Sequence, residues 1–146
     1  MRPASTPVRV GLVLLGLPQL LIGAWATFAP SGWFDNFPGA GRNWLPLYGP
    51  YDEHLVADVG STFLALGVLL FLAAVWMDRR VVIAAVVAYL VYQVPHTIFH
   101  LANDDVLSSG DQVANGITLV LANVLAIAIL VSLRRDPAPV PQAGAR

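Results

Sequence analysis

The stretch from Tyr89 to Asp104 reads YLVYQVPHTIFHLAND. It continues an apolar run that begins at Val81, and Gln93, Pro95, His96 and His100 interrupt it. His96 and His100 are four residues apart, so on a helix they share one face, separated by about 6 Å along the axis. Imidazoles within an otherwise hydrocarbon-compatible helix are costly to keep there, and they mark a functional site by default. The stretch therefore predicts a membrane helix that carries a polar stripe.

The rest of the chain agrees. Of its 146 residues 57% are hydrophobic and 12% charged, about half the charge of a soluble domain. Val8–Phe28 is long enough to span a bilayer core of ~30 Å, with Pro18 inside it, as membrane helices tolerate. Arg2, Arg9 and Ala24-Trp25-Ala26 also fit a cleavable signal peptide, but the apolar run continues past the cut and favours a retained span. The other spans are expected near 53–77, 81–101 and 113–133. Asp78-Arg79-Arg80 forms a tight turn between two of them, and residues 102–112 form a short acidic loop. The tails, 1–7 and 134–146, are too polar and short to pack. The fold class is thus all-α, a polytopic membrane four-helix bundle running up-down-up-down.

Between the first two spans, residues 29–52 form a loop longer than unstructured loops usually are. Pro30, Pro38, Pro46 and Pro50 forbid a long helix there. Trp33, Phe34, Phe37, Trp44, Tyr48 and Tyr51 suit a membrane–water interface, or else a lid over a pocket. All eight basic residues are arginine. With four spans, Arg2, Arg9, Arg79, Arg80, Arg134, Arg135 and Arg146 share one side and Arg42 alone takes the other. That asymmetry places both termini in the cytoplasm, at the cell membrane. The absence of cysteine excludes disulfides, thiolate sites and iron–sulfur clusters. The near-neutral charge, with no basic run, argues against a nucleic-acid partner.

The second span opens with its own polar stripe, since His54, Asp58 and Ser61 stand at i, i+4 and i+7. If that stripe faces the third span, His54, Asp58, His96 and His100 converge in the outer third of the membrane. Three imidazoles and a carboxylate suit zinc, iron, manganese or copper. Glu53, Gln93, Asn103 or Asp104 would orient the rings from behind. Asp58 has a rival partner in Arg42, folded back from the loop. On the fourth span Asn115 and Thr118 lie at the same level, either closing the site or making ordinary interhelical bonds.

Three functions follow. The first is a metal-dependent hydrolase or oxidase acting on a lipid-like substrate admitted beneath the first loop. The second is a non-enzymatic membrane subunit, in which the polar stripes bind a homo-oligomeric or other membrane partner. The third is a haem protein with His54 and either His96 or His100 as axial ligands.

The acid that leads a small-residue run in the second span, Asp58-Val59-Gly60-Ser61 through Leu66-Gly67, and the turn at Arg79-Arg80 resemble the DoxX-like group of small four-span bacterial membrane proteins. The likeness covers roughly residues 8–133 and implies a compact four-helix bundle. The segment from Pro95 to His100 and the aromatic loop depart from it. The H-x-x-x-H pair is similar to those of seven-span zinc hydrolases of the ceramidase and adiponectin-receptor type, whose ligands are spread over more helices than this chain has.

Because the chain has no cysteine, single cysteines report topology without background. Cysteines placed at Ser31 and Ser109 should react with an impermeant thiol reagent in intact cells, and one at Ala138 should not. The reverse pattern would overturn the arginine argument.

Overall fold

The computed structural model describes residues 6–135. Five α-helices are present among these: α1 (Thr6–Phe28), α2 (Pro30–Asn36), α3 (Glu53–Trp76), α4 (Arg79–Asn103) and α5 (Ser109–Arg135). Four of them, all but α2, are long and apolar enough to cross a membrane. The expected tails lie mostly outside the described residues, although α1 begins at Thr6 and α5 continues through Arg135.

Local chemistry sets the helix ends. Asp52 caps α3 by accepting the Leu55 N–H at 3.0 Å, satisfying a donor that the first turn leaves free. Met77 ends α3 in the left-handed region, and Asp78 then caps α4 through the N–H groups of Arg80 and Val81. Ser108 Oγ accepts the Asp111 N–H at the start of α5. Pro18 and Pro95 lie within continuous α1 and α4.

The closest packing is between α1 and α3, along facing glycines. Gly23 lies against Leu64 and Gly60, Gly60 against Ala26 and Thr27, and Gly67 against Leu20. Without side chains at these positions the two backbones approach nearly to touching, as small residues allow in membranes. Helix α5 is the least buried of the four. Among the described residues only Ala126, Ile129 and Leu133 are buried along it.

These contacts divide the interior in two. Near the α3–α4 turn, Leu12 and Leu15 of α1, Leu70 and Ala73 of α3, Val82, Val86 and Tyr89 of α4 and Ala126 and Ile129 of α5 form a solid core. Toward residues 29–52 a second cluster gathers Ala26, Trp33 and Val56, with Trp25, Phe34, Phe37 and Leu45 around them. At this loop end the four long helices are not filled to the centre.

A methyl group at Gly60 would stand 2.7 Å from the Thr27 backbone nitrogen, whereas one at Gly110 would meet nothing within 4 Å. Gly60→Ala should therefore cost about 1–3 kcal/mol by overpacking and lower the thermal midpoint in detergent. Gly110→Ala should leave it within error. Equal midpoints for the two variants would refute the close approach of α1 and α3.

Candidate functional site

The unfilled centre is a cavity of about 810 Å³, lined by α1, α3, α4, α5 and the loop between α1 and α3. That is within the range of sites that enclose small molecules. Its walls are mostly aliphatic and aromatic, including Leu15, Ile22, Val59, Phe63, Tyr92 and Leu125. Polar side chains reach it at few points: Gln19 on α1, Gln93, His96 and His100 on α4, Asn115 and Thr118 on α5, and in the loop Tyr48 and the indoles of Trp33 and Trp44, whose N–H groups are buried without partners.

The loop forms the roof. Its prolines permit only the two-turn α2, a two-residue ribbon pairing Pro38 with Asn43 and Gly39 with Arg42, and a single tight turn at Leu45–Leu47. Trp33, Phe37 and Trp44 pack in sequence, the first pair tilted and the second edge-on, with ring centroids 5.4 Å and 6.1 Å apart, and all three line the cavity. Their rings are the apolar underside of a lid.

Asp104, just past α4, joins this lid to the helices. It is 8% exposed. Its Oδ1 accepts the Tyr48 hydroxyl at 2.5 Å and the His100 Nδ1–H at 2.7 Å, and its Oδ2 accepts the Asn115 amide at 2.9 Å. A carboxyl that accepts three donors in this way is held as the carboxylate. Burial and the adjoining Asp104 carboxylate push the Tyr48 phenol above its ordinary range. At the surface, Arg42 of the ribbon pairs with Asp111 of α5 at 2.8 Å, a second tie and, being exposed, a weak one.

Because Nδ1 of His100 donates to the carboxylate, the neutral ring presents Nε2 as an acceptor. His96 packs edge-on against His100 with centroids 4.6 Å apart, lies nearly parallel to Tyr92, and meets Phe63 of α3 edge-on. Its closest polar approach, Nδ1 to the Tyr92 hydroxyl at 3.5 Å, is too long for a strong hydrogen bond.

The structure brings together only part of the expected set. His96 and His100 meet, and Asp104 stands directly behind His100. Gln93 is buried at the cavity wall. His54 and Asp58 pair only with each other, at 3.4 Å, with side chains 89% and 65% exposed. The reason is angular. The buried stripe of α3 is Val56, Gly60, Phe63, Gly67 and Leu70, and at about 100° per residue His54, Asp58 and Ser61 fall on the opposite side. Glu53 is exposed in the first turn of α3, and Asn103 turns back to its own helix to donate to the Phe99 carbonyl at 2.8 Å. Among the described residues no three His, Asp or Glu side chains are grouped as a metal-ligand set. His54 likewise does not face His96 or His100 as a second axial haem ligand would. The partner of Arg42 is Asp111 rather than Asp58. Of the two fourth-span residues, Asn115 reaches Asp104 while Thr118 bonds within its own helix to the Ala114 carbonyl.

Two residues at the site escape the sequence reading. Tyr48 reads as one more aromatic of the interface or lid, and nothing local ties it to an aspartate 56 positions on. Gln19 carries the stronger signal, a lone amide beside Pro18 in an apolar run. It is 6% exposed, and its Oε1 is fully buried with no hydrogen-bond partner.

Tyr48→Phe removes one donor from the buried carboxylate and should lower the thermal midpoint, by about 1.5–3 kcal/mol for a hydrogen bond to a charged group. The phenol's pKa is higher folded than unfolded. Its contribution is therefore complete below pH ~10 and fades as pH rises through the unfolded value. The gap between wild type and Tyr48→Phe should narrow in alkali; a gap that widened would contradict the Tyr48–Asp104 bond.

No family model, no curated protein and no solved structure matches this chain.

Proposed function

We propose that this protein is a multi-pass protein of the cell membrane whose cavity binds an apolar, lipid-like small molecule beneath the aromatic loop. In this reading the four spans run up-down-up-down, with both termini cytoplasmic and the loop on the outer side, in a compact bundle of the DoxX-like kind. The arginine asymmetry supports that orientation. So does the packing of early α1, late α3, early α4 and late α5 side chains into one core.

The observation that carries the proposal is the distribution of polarity around the cavity. An enclosure of about 810 Å³ is walled mainly by hydrocarbon and aromatic rings, and His96 and His100 stand at the end roofed by the loop, beside Tyr48. A molecule with an apolar body and one polar end matches that arrangement. Cavity-lining residues that are also exposed, Leu14 and Pro18 on α1 and Thr118 and Leu121 on α5, mark a side opening toward the hydrocarbon of the bilayer. A lipid-like molecule would enter there without crossing water. A metal-centred hydrolase or oxidase would draw only His96 and His100 from the expected ligands, so binding of the apolar molecule is the firmer basis for function.

Purified in mild detergent and extracted with organic solvent, the protein should yield about one lipid-like molecule per chain by mass spectrometry. Ala122→Trp, which directs an indole into the cavity, should abolish most of that yield while leaving the helical content unchanged. Equal yields from wild type and variant would mean that the extracted lipid comes from the outer surface, and the proposal would fail.

A further inference from the structure

We infer that the cavity's ligand is an uncharged amphiphile bearing a hydroxyl group, and that this O–H is donated to acceptors the protein leaves unpartnered inside the cavity. The inference rests on the cavity-binding reading above and specifies its ligand class.

Two acceptors carry it, and two cavity-lining indole donors that are buried without partners, Nε1 of Trp33 and of Trp44, can bond to the oxygen of the same kind of group. Gln19 lines the cavity and is 6% exposed, yet its Oε1 is buried without a partner. A buried acceptor with no donor costs free energy unless something supplies one. At the loop end, His100 commits its Nδ1–H to Asp104 at 2.7 Å, which leaves Nε2 as an acceptor. Nε2 has no hydrogen-bond partner among the described residues, and His100 lines the cavity. Both groups call for a donor.

Charge excludes the commonest alternative. The chain has no lysine, and no arginine lines the cavity. A carboxylate or phosphate head would enter a low-dielectric space with no cation to pair it and with the Asp104 carboxylate close behind His100. Such a charge is strongly disfavoured. An alcohol or phenol suffers no such penalty and supplies the missing proton. Gln19 and His100 also lie at different depths. Leu20 contacts Gly67 and His96 meets Phe63, so Gln19 stands about one helical turn, ~6 Å, below His96 and about two turns, ~12 Å, below His100. A hydroxyl can engage either acceptor, and a molecule with two hydroxyls on a rigid frame can engage both.

The test uses the full chain in phosphatidylcholine nanodiscs with tritiated hexadecanol as tracer and four unlabelled competitors of equal chain length. These are hexadecanol, its methyl ether, hexadecane, and palmitate kept ionised by mildly alkaline buffer. Hexadecanol should compete about tenfold more strongly than ether or alkane, as one added hydrogen bond predicts. Palmitate should be the weakest. Gln19→Leu and His100→Phe each remove one acceptor while keeping bulk, and each should shrink the preference for alcohol over ether while leaving competition by the alkane unchanged. If His100→Phe fails to fold, Gln19→Leu and the wild-type series still decide. Equal competition by alcohol and ether would overturn the donor requirement, and strongest competition by palmitate would overturn the neutral-ligand assignment; either result leaves the cavity a binding site. Absence of any specific tracer binding would remove the cavity reading and this inference with it.

Discussion

One carboxylate holds the loop end together. Asp104 is nearly excluded from solvent, and an ionised carboxyl in such a place is tolerable only when its oxygens are satisfied. The donors come from three places that the chain order separates: Tyr48 in the loop, His100 on α4 and Asn115 on α5. Each bond does local work. The Tyr48 bond pins the loop over the helices, the His100 bond sets the tautomer of a ring facing the cavity, and the Asn115 bond draws the upper part of the otherwise loosely packed α5 toward α4. A second polar link lies deeper, where Asn123 donates to Thr97 Oγ1 and Thr97 donates to the Gln93 carbonyl.

The hollow that the carboxylate roofs follows from unequal helix packing. Four helices cannot all pack closely if one pair is drawn together along a glycine seam and the others carry large side chains. Here α1 and α3 close along Gly23, Gly60 and Gly67, while Phe63 meets Tyr92 and His96 edge-on across the α3–α4 side. Near the α3–α4 turn, Leu and Val side chains from all four long helices interdigitate and leave no such gap. At the loop end α5 contributes Asn115, Thr118 and Leu119 to the lining but no buried residue of its own in that turn. The bundle is thus solid at one end and hollow at the other. In water an apolar hollow of this size would favour collapse. In a bilayer the surrounding hydrocarbon is as apolar as the lining, so the drive to close it is weak.

Much of the architecture could be read from the chain because membrane helices announce themselves by length of apolar run, a property of contiguous residues. The prolines and aromatics of residues 29–52 likewise mark a loop with an apolar underside. The partnerships were less legible. Periodicity says that His54, Asp58 and Ser61 share a face, and says nothing about which way that face turns. On α3 the glycines decide, since Gly60 and Gly67 must meet the backbone of α1, and that commitment swings the polar stripe outward. On α4 the histidine stripe does meet the cavity, because Tyr89, Gln93 and Thr97 beside it are buried. Asp104, expected as a supporting group behind a metal, instead occupies the centre of the polar cluster. Tyr48 could not have been found, because the fold alone brings it to an aspartate far along the chain.

Polar groups placed in hydrocarbon must find partners, and the way they find them distinguishes one chemistry from another. A metal ion would satisfy several imidazoles and a carboxylate at once. In this chain the Asp104 carboxylate is satisfied by O–H and N–H donors from three segments, which fixes Tyr48, His100 and Asn115, while Asp58 pairs with His54 at the surface. Once those bonds are made, a few polar atoms of lining residues stay unpartnered, the acceptors Nε2 of His100 and Oε1 of Gln19 and the indole donors of Trp33 and Trp44, in a lining otherwise suited to hydrocarbon. In the binding reading proposed above, selectivity would arise as it does in any dry pocket. The apolar walls accept many shapes with similar affinity, and the few unsatisfied polar atoms discriminate sharply, because a guest that cannot pair them leaves their cost in place.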